Sequence, residues 1–316
     1  MRNRLGLLAM VVIVVSLVGA CAGPAAPPDP YEQLTTSMKA TWSPIQVNIG
    51  VKVTAQGKTI TLDPKDIAIV VDATAEKFAL HVSLPASDLD IPTAALEQLG
   101  IDGDSIDFDL IYAADALYAR SAFFKPTLRL ILGPTGKVPA GDLAGWLKFG
   151  TKEELAALSA LSGSAAGMPS FAPPSPGAGA TKASFEAAGI TFISAPNEKH
   201  NGVDMQHIKI AIDLGKLTSN PAFIAGAGPQ SGAAIAALKA ATASGDLWLD
   251  PASNRILEAD THVASTNDPS EVGDITVTAH DPDGSISLDA PPSAVDVPLG
   301  TLISETMKLL GKGAES

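Results

Sequence analysis

The chain has 316 residues, with 21 lysines and arginines against 34 acidic residues and a formal net charge of −13. This acidic balance excludes nucleic acid as a partner, because nucleic-acid binding requires a basic footprint. A single cysteine excludes an intramolecular disulfide. The fold must therefore be stabilised by an apolar core, and a hydrophobic content of 46% is ample for one.

The N-terminal segment is organised as a secretory signal. Arg2 and Arg4 precede an almost unbroken apolar run, residues 5–18, and small residues then lead directly to Cys21. This run is shorter than the roughly 20 residues that a membrane-spanning helix needs. We therefore expect residues 1–20 to be a signal peptide that is removed.

The end of this segment, Val18-Gly19-Ala20-Cys21, resembles the lipobox of bacterial lipoproteins at all four positions. The resemblance implies that Cys21 is acylated on its sulfur, becomes the mature N-terminus and anchors the chain on the extracytoplasmic side of a membrane. The alternative is an ordinary buried cysteine, but nothing near Cys21 resembles a folded element. Residues 21–30 are rich in proline and predict an extended tether.

The first half of the chain after the tether predicts one helix and then strands. Asp29, Pro30 and Glu32 form a helix start, with an N-cap, a proline at the first helical position and an acidic residue three after the cap. From Ile45 onward apolar and polar residues alternate, which predicts β-strands with one apolar face. These strands are expected at 45–54, 59–62, 67–71, 78–84, 106–112 and 117–120, with a short helix at 93–99.

The second half begins with a capping box at Thr151 and Glu154. Residues 163–180 are uncharged and rich in proline, glycine and alanine, which predicts a flexible insertion or a linker. Neither side of this stretch looks complete, so we expect a single domain at residues 31–310. Further strands are expected at 190–195, 203–213, 246–250, 255–264, 273–280 and 285–289. Helical stretches are expected at 214–242, with interruptions at Pro221 and at 226–229, and at 299–310.

No constellation of catalytic or metal-binding residues stands out. The five histidines, His81, His200, His207, His262 and His280, lack metalloprotease spacing. Ser164 stands one place too early for a nucleophile elbow, and residues 226–228 lack the context of a phosphate-binding loop. The aspartates at 102–109 and 281–283 are better explained as turn and strand residues than as calcium ligands. We expect no enzyme, no metal and no cofactor.

Several segments resemble the LppX/LprG family of bacterial lipoproteins, which are relatives of the periplasmic carrier LolA. The resemblance is carried by Asp115-Ala116-Leu117-Tyr118-Ala119-Arg120, by residues 202–208 leading into Ile212-Asp213-Leu214, by Gly245-Asp246-Leu247-Trp248-Leu249-Asp250 and by residues 290–298. It implies an α+β fold in which a curved antiparallel half-barrel sheet, here of about eleven strands, wraps on helices. It also implies a hydrophobic cavity for lipid acyl chains.

The same alternating strands can close on helices as a dry core or leave a pocket for a ligand. Aromatic residues at 5% and helices rich in alanine and glycine favour the pocket. Its candidate lining is Ile49, Val51, Leu80, Phe108, Ile208, Ile210 and Ile212. We therefore predict a membrane-anchored lipoprotein that binds and carries a lipid or other hydrophobic ligand in the cell envelope. The alternative is a non-catalytic structural or interaction module, accessory to an envelope transporter or a cell-wall assembly.

Overall fold

The computed structural model describes residues 29–37, 42–89, 94, 96, 105–154, 181–221, 223–224 and 232–305. The chain divides into two compact units, each built from two separate segments. The first unit combines residues 1–65 with 172–281, and the second combines 66–171 with 282–316. Cys21, residues 22–28 of the tether and the insertion at 163–180 lie outside the described residues. Within the described ranges, no helix has the length and apolarity needed to cross a membrane.

The predicted α+β fold with a large, mostly antiparallel sheet is confirmed, with thirteen strands in the described ranges. The strands are β1 Ile45–Ala55, β2 Lys58–Leu62, β3 Ile67–Asp72, β4 Lys77–Pro85, β5 Ser105–Ala113, β6 Ala116–Arg120, β7 Leu147–Thr151, β8 Ile190–His200, β9 Val203–Ile212, β10 Ala241–Leu249, β11 Ile256–Ser265, β12 Val272–His280 and β13 Val295–Asp296. The helices with defined bounds are α1 Pro30–Ser37, α2 Phe124–Leu132, α3 Lys182–Ala187, α4 Leu214–Leu217 and α5 Gly232–Lys239. Residues 299–305 are also helical.

The first unit contains seven strands in the order β2-β1-β12-β11-β10-β9-β8, and every neighbouring pair is antiparallel. Directly opposed residues share a face of the sheet. The register therefore joins Ile49 with Val277, and Ile208 with Leu247, on the apolar face that the alternation predicts. All four side chains are buried.

Helix α1 packs on the first unit and begins as its sequence predicts. The carboxylate of Asp29 accepts a hydrogen bond from the backbone N–H of Tyr31 at 3.1 Å, which caps the helix. The ring of Tyr31 meets Phe192 edge-on at 5.3 Å, and its hydroxyl accepts the backbone N–H of Phe192 at 3.1 Å. Leu34, on the next turn, is fully buried. The helix is thus held to strand β8 by both apolar and polar contacts.

The second unit contains six strands in the order β13-β7-β6-β5-β4-β3, and all pairs except β13 with β7 are antiparallel. One face of its sheet buries Ala79 and Ile111 beneath Ile286 and Leu288. Both Ile286 and Leu288 belong to the segment 285–289, for which the sequence predicts a strand. This prediction is wrong, because the segment is irregular and is not a strand. Its alternating apolar residues pack onto a sheet face and do not extend a strand ladder.

Helix α2 is a feature that the sequence analysis missed. Leu128 and Leu132 form a buried cluster with Leu143, Leu147 and Val297 in the second unit. The spacing of Phe124, Leu128 and Leu132 at i, i+4 and i+8 was the available signal. A helix of nine residues with a proline at its third position gives this signal only weakly.

The prediction of an interrupted helical region at 214–242 also needs correction, at its C-terminal end. Only α4 and α5 are helices with defined bounds there, and strand β10 already begins at Ala241, five residues before the predicted start. Residues 241–245 pair with β11, and residues 243–245 also pair with β9. The hydrogen bonds of β10 to its two neighbouring strands outweigh the helix preference of Ala241 and Ala243.

Candidate ligand-binding surface

The seven residues predicted to line a cavity fall into two groups. Five of them, Ile49, Val51, Ile208, Ile210 and Ile212, lie on one face of the sheet in the first unit. The other two, Leu80 and Phe108, lie together on one face of the sheet in the second unit. The structure brings the members of each group onto a common surface.

The five residues of the first unit lie on a largely packed face. Ile49 is 3% exposed, Ile208 1% and Ile210 6%, whereas Val51 and Ile212 are partly exposed. Leu34 of helix α1 is fully buried in the same unit. Burial of this degree is typical of core residues, and it favours the dry-core alternative for this part of the chain.

A cavity of about 270 Å³ lies at the end of the first unit, between helix α5 and the ends of β1, β11 and β12. Its apolar lining includes Val53, Leu238, Val263 and Val272, and none of the seven predicted residues contributes to it. Pockets that bury a drug-sized ligand usually measure about 300–1,000 Å³. This cavity is therefore too small to enclose a whole lipid.

The second unit presents an apolar surface on strands β3, β4 and β5. The register places Ile69 opposite Leu80, Leu80 opposite Leu110, and Val82 opposite Phe108. We call this set the apolar face of the second unit, and every member of it is partly exposed: Ile67, Ile69, Val71, Leu80, Val82, Phe108 and Leu110. Leu80 and Phe108 are the two members that the sequence predicts to line a cavity.

In this sheet a small side chain is buried on one face, whereas large apolar side chains on the other face are partly exposed, which is the reverse of the usual arrangement. The opposite face buries Val70 and the small residue Ala79 completely, while the larger Leu80 and Phe108 are partly exposed. Contiguous exposed apolar patches on soluble domains mark interaction sites or ligand-binding grooves. The other members could have been selected from the sequence as well, since they share the same alternation.

Aromatic rings border the apolar face. The ring of Phe108 lies 6.0 Å from that of Phe124 in helix α2, and Phe124 lies 5.3 Å from Phe149. Farther along the strands, Ile106 is buried in a cluster with Leu96. Helix α2 and this cluster therefore close two borders of the face and hold its shape.

Polar groups on the opposite face are already paired. His81 Nδ1 lies 2.8 Å from Asp109 Oδ1, and the guanidinium of Arg120 donates twice to Asp109 Oδ2, at 2.8 and 3.0 Å. On the apolar face, Tyr112 is buried. Burial raises the pKa of its hydroxyl, an effect that the nearby Lys152 partly opposes.

The histidines are engaged with carboxylates and do not gather into a metal site. Four of the five lie within ion-pair distance of a carboxylate: His81 at 2.8 Å from Asp109, His200 at 2.9 Å from Glu258, His207 at 2.6 Å from Asp246, and His262 at 2.6 Å from Asp274. In the described part of the chain, no group of three or more metal-binding side chains converges. The pairs of His81, His207 and His262 each join neighbouring strands, which is a structural role, and the pair of His200 links β8 with β11.

Trp248 organises the largest of these polar clusters. Its ring stacks between those of His200, at 4.0 Å, and His207, at 5.2 Å. Its indole N–H donates to Glu198 Oε1 at 3.0 Å, and this hydrogen bond is the main reason that the pKa of Glu198 is lowered. Trp248 is itself buried, so the cluster is a stabilising stack and does not form an open aromatic platform.

No protein-family model matches the chain, and no curated protein matches it in sequence. Among solved structures, the chain is similar to the lipoprotein LppX of Mycobacterium tuberculosis, with 11% identity over 84% of this chain and 100% of that one and a TM-score of 0.36. It is also similar to LprF of Mycobacterium bovis, with 11% identity over 86% of this chain and 100% of that one and a TM-score of 0.36.

Proposed function

We propose that the protein is a membrane-anchored lipoprotein that binds and carries a lipid or other hydrophobic ligand in the cell envelope. The observation that carries the proposal is the apolar face of the second unit, whose large side chains are partly exposed. A hydrophobic ligand on this face would cover surface that the described chain leaves in contact with water.

The chemistry of this face suits an acyl chain. Removing apolar surface from water contributes roughly 25 cal/mol per Å², and each buried methylene of an acyl chain contributes about 0.8 kcal/mol. Such binding is non-directional, so it requires no positioned polar group. The seven side chains of the face are aliphatic or aromatic, which is the lining that this mode of binding requires.

The N-terminal sequence supports the location. A chain anchored through acylated Cys21 is held beside a bilayer, where lipids are within reach, and the proline-rich residues 21–30 would keep the folded part clear of the surface. The binding surface and the anchor are thus parts of one proposal. Each can be tested separately.

Native mass spectrometry of the purified protein tests ligand binding directly. We expect a bound mass that disappears after extraction with organic solvent. A mass spectrum that shows the polypeptide alone, together with no binding of a fluorescent fatty acid, would contradict the carrier function.

A pair of variants tests the location of the site. The double variant Leu80→Gln, Val82→Gln should keep its fold, since both side chains are partly exposed, and should lose lipid binding at least tenfold because two apolar contacts are replaced by amides. The control is Ile193→Gln, a residue of strand β8 that is 50% exposed in the first unit. Equal lipid binding by both variants, with unchanged thermal unfolding, would place the ligand elsewhere.

A non-catalytic interaction module is the second candidate, and the packed face of the first unit favours it. In that case the apolar face of the second unit would contact a protein. The purified parent protein would then carry no lipid. A protein that co-purifies with the parent would no longer co-purify with the Leu80→Gln, Val82→Gln variant.

A further inference from the structure

Helix α2 exposes a basic surface in a strongly acidic protein. Lys125 and Arg129 are exposed on the helix, and Lys137 is exposed just after it. Residues 116–141 contain four cationic residues and no acidic one, although the chain as a whole has 34 acidic residues. The backbone N–H of Lys137 donates to the carbonyl of Leu132 at 3.3 Å, which keeps Lys137 next to the end of the helix.

An aliphatic side chain stands beside these cations. Leu130 is 72% exposed, more than any other large apolar residue in the described part of the chain. It follows Arg129 directly and lies one helical turn from Pro126, which itself follows Lys125. The opposite stripe of the helix, with Leu128 and Leu132, is buried in the core, so the orientation of Leu130 is fixed.

Helix stability alone does not explain this arrangement. Arg129 lies in the last turn, where a cation interacts favourably with the helix dipole. Lys125 lies in the first turn, where a cation is disfavoured, and no acidic residue accompanies it there. No described residue forms an ion pair with Lys125, Arg129 or Lys137. As far as the described part of the chain extends, these charges are available to an external anion.

We propose that Lys125, Arg129, Leu130 and Lys137 form a docking surface for an anionic lipid bilayer. A helix that carries cations around an exposed aliphatic side chain is typical of segments that lie in the headgroup region. Cations close to such a surface are attracted to its negative potential, while the acidic remainder of the chain is repelled. The surface would therefore select one orientation of the second unit against the membrane.

This orientation has a consequence for the ligand, which rests on the function proposed above. Phe124 lies on the same helix and its ring contacts Phe108 of the apolar face at 6.0 Å. Docking of α2 would bring the border of the apolar face to the headgroups, where a lipid could leave the bilayer without crossing water. Docking itself does not require that a ligand be bound.

Modification of lysines tests the docking on the full chain. The protein is reconstituted into vesicles of phosphatidylglycerol and phosphatidylcholine, or of phosphatidylcholine alone, and treated with a membrane-impermeant acetylating reagent. Mass spectrometry then compares Lys125 and Lys137 with Lys65 and Lys199, whose side chains are 79% and 72% exposed. We expect Lys125 and Lys137 to react more slowly on the anionic vesicles only, and high salt to remove this protection.

The variant Arg129→Gln should reduce the protection of Lys125 about fivefold, the contribution of one cation near an anionic surface. Lys65→Gln is the matched control and should leave the protection of Lys125 unchanged.

Equal reactivity of Lys125 on both kinds of vesicle, or equal protection of Lys65, overturns the proposal. Protection that occurs in native membranes but not on protein-free vesicles also overturns it, in favour of an acidic protein partner. Lipid extraction from the purified protein is independent of these outcomes, so docking and carriage can fail separately.

Discussion

Neighbouring residues on strand β4 illustrate how the second unit distributes its apolar side chains. Ala79 is fully buried, while Leu80, the next residue, is partly exposed. A strand in a two-layer domain usually turns its larger side chains to the core. Here the small residue allows Ile286 and Leu288 to approach one face closely, and the larger residue remains available on the other.

A single aspartate organises the turn between β10 and β11. The carboxylate of Asp250 accepts hydrogen bonds from the backbone N–H groups of Ala252 and Ser253, each at 3.1 Å, and from the Ser253 hydroxyl. The carbonyl of Asn254 in turn accepts the hydroxyl of Ser37 at 2.7 Å, at the end of helix α1. Burial alone would raise the pKa of Asp250, but these hydrogen bonds outweigh it and the pKa is lowered.

Asp250→Asn should therefore change stability and its dependence on pH. A carboxyl whose pKa is lower in the folded state stabilises the fold above its ordinary pKa, and this contribution is lost as the pH falls through the folded value. At neutral pH, we expect the variant to have a free energy of unfolding about 1 kcal/mol lower than that of the parent, measured by urea unfolding. When the pH falls below the ordinary pKa of aspartate, the variant should lose less stability than the parent. Parallel pH profiles of the two proteins would contradict this role.

At the scale of elements, helix α1 should contribute strongly to the first unit. Leu34 is fully buried, whereas Glu32 on the same helix is exposed. Leu34→Ala should lower the free energy of unfolding by about 2–5 kcal/mol, because it removes buried methyl groups and leaves a cavity. Urea unfolding measures the loss, and Glu32→Gln serves as the control. A similar small effect from both variants would show that α1 is not part of the stable core.

Elements with a strong local pattern could be predicted from the sequence. The start of α1 follows from Asp29 and Pro30, and strands such as β1 and β12 follow from long alternation. Helix α2 could not be found with the same ease, because it is short and contains a proline. The strand expected at 285–289 shows that alternation reports which side chains are buried, not whether the backbone pairs.

The candidate site was predictable only in part, for a related reason. Alternation identified the apolar side of each strand, including Leu80 and Phe108, but it could not tell a packed face from an exposed one. Ile208 and Leu80 have the same pattern around them, yet Ile208 is 1% exposed and Leu80 remains partly exposed. That difference depends on which segments pack across each face, and these are distant in the chain.

At the scale of the whole molecule, the anchor is the prediction with the clearest readout. Cys21→Ser removes the acylation site, and stable attachment requires two or more membrane signals. Because an uncleaved signal peptide would itself hold the chain in the membrane, the variant is exported behind a cleavable secretory signal so that its mature form begins after residue 20. This form should appear in the soluble fraction of cells. Retention of this variant in membranes washed with high salt would show that a second anchor exists.

Residues 163–180 should be the first site of limited proteolysis, because they are uncharged and contain four prolines. The two fragments should remain together after the cut. Strand β1 pairs with β12 in the first unit, and β7 pairs with β13 in the second, so each unit contains strands from both fragments. Gel filtration after cleavage tests this, and fragments that separate without denaturant would contradict it.

The pairing of β13 with β7 also bears on the order in which the protein can fold during its synthesis. Val297, just after β13, is buried with Leu147 in the core of the second unit, and strand β12 occupies the middle of the sheet in the first unit. The ribosome makes these residues after the other strands of both units, so neither unit can be completed before they have been made. Pairings between such distant segments form slowly, so each unit stays incomplete until these strands have been made. This delay suits the export that we propose for the protein, because a translocation channel accepts a chain that has not yet folded.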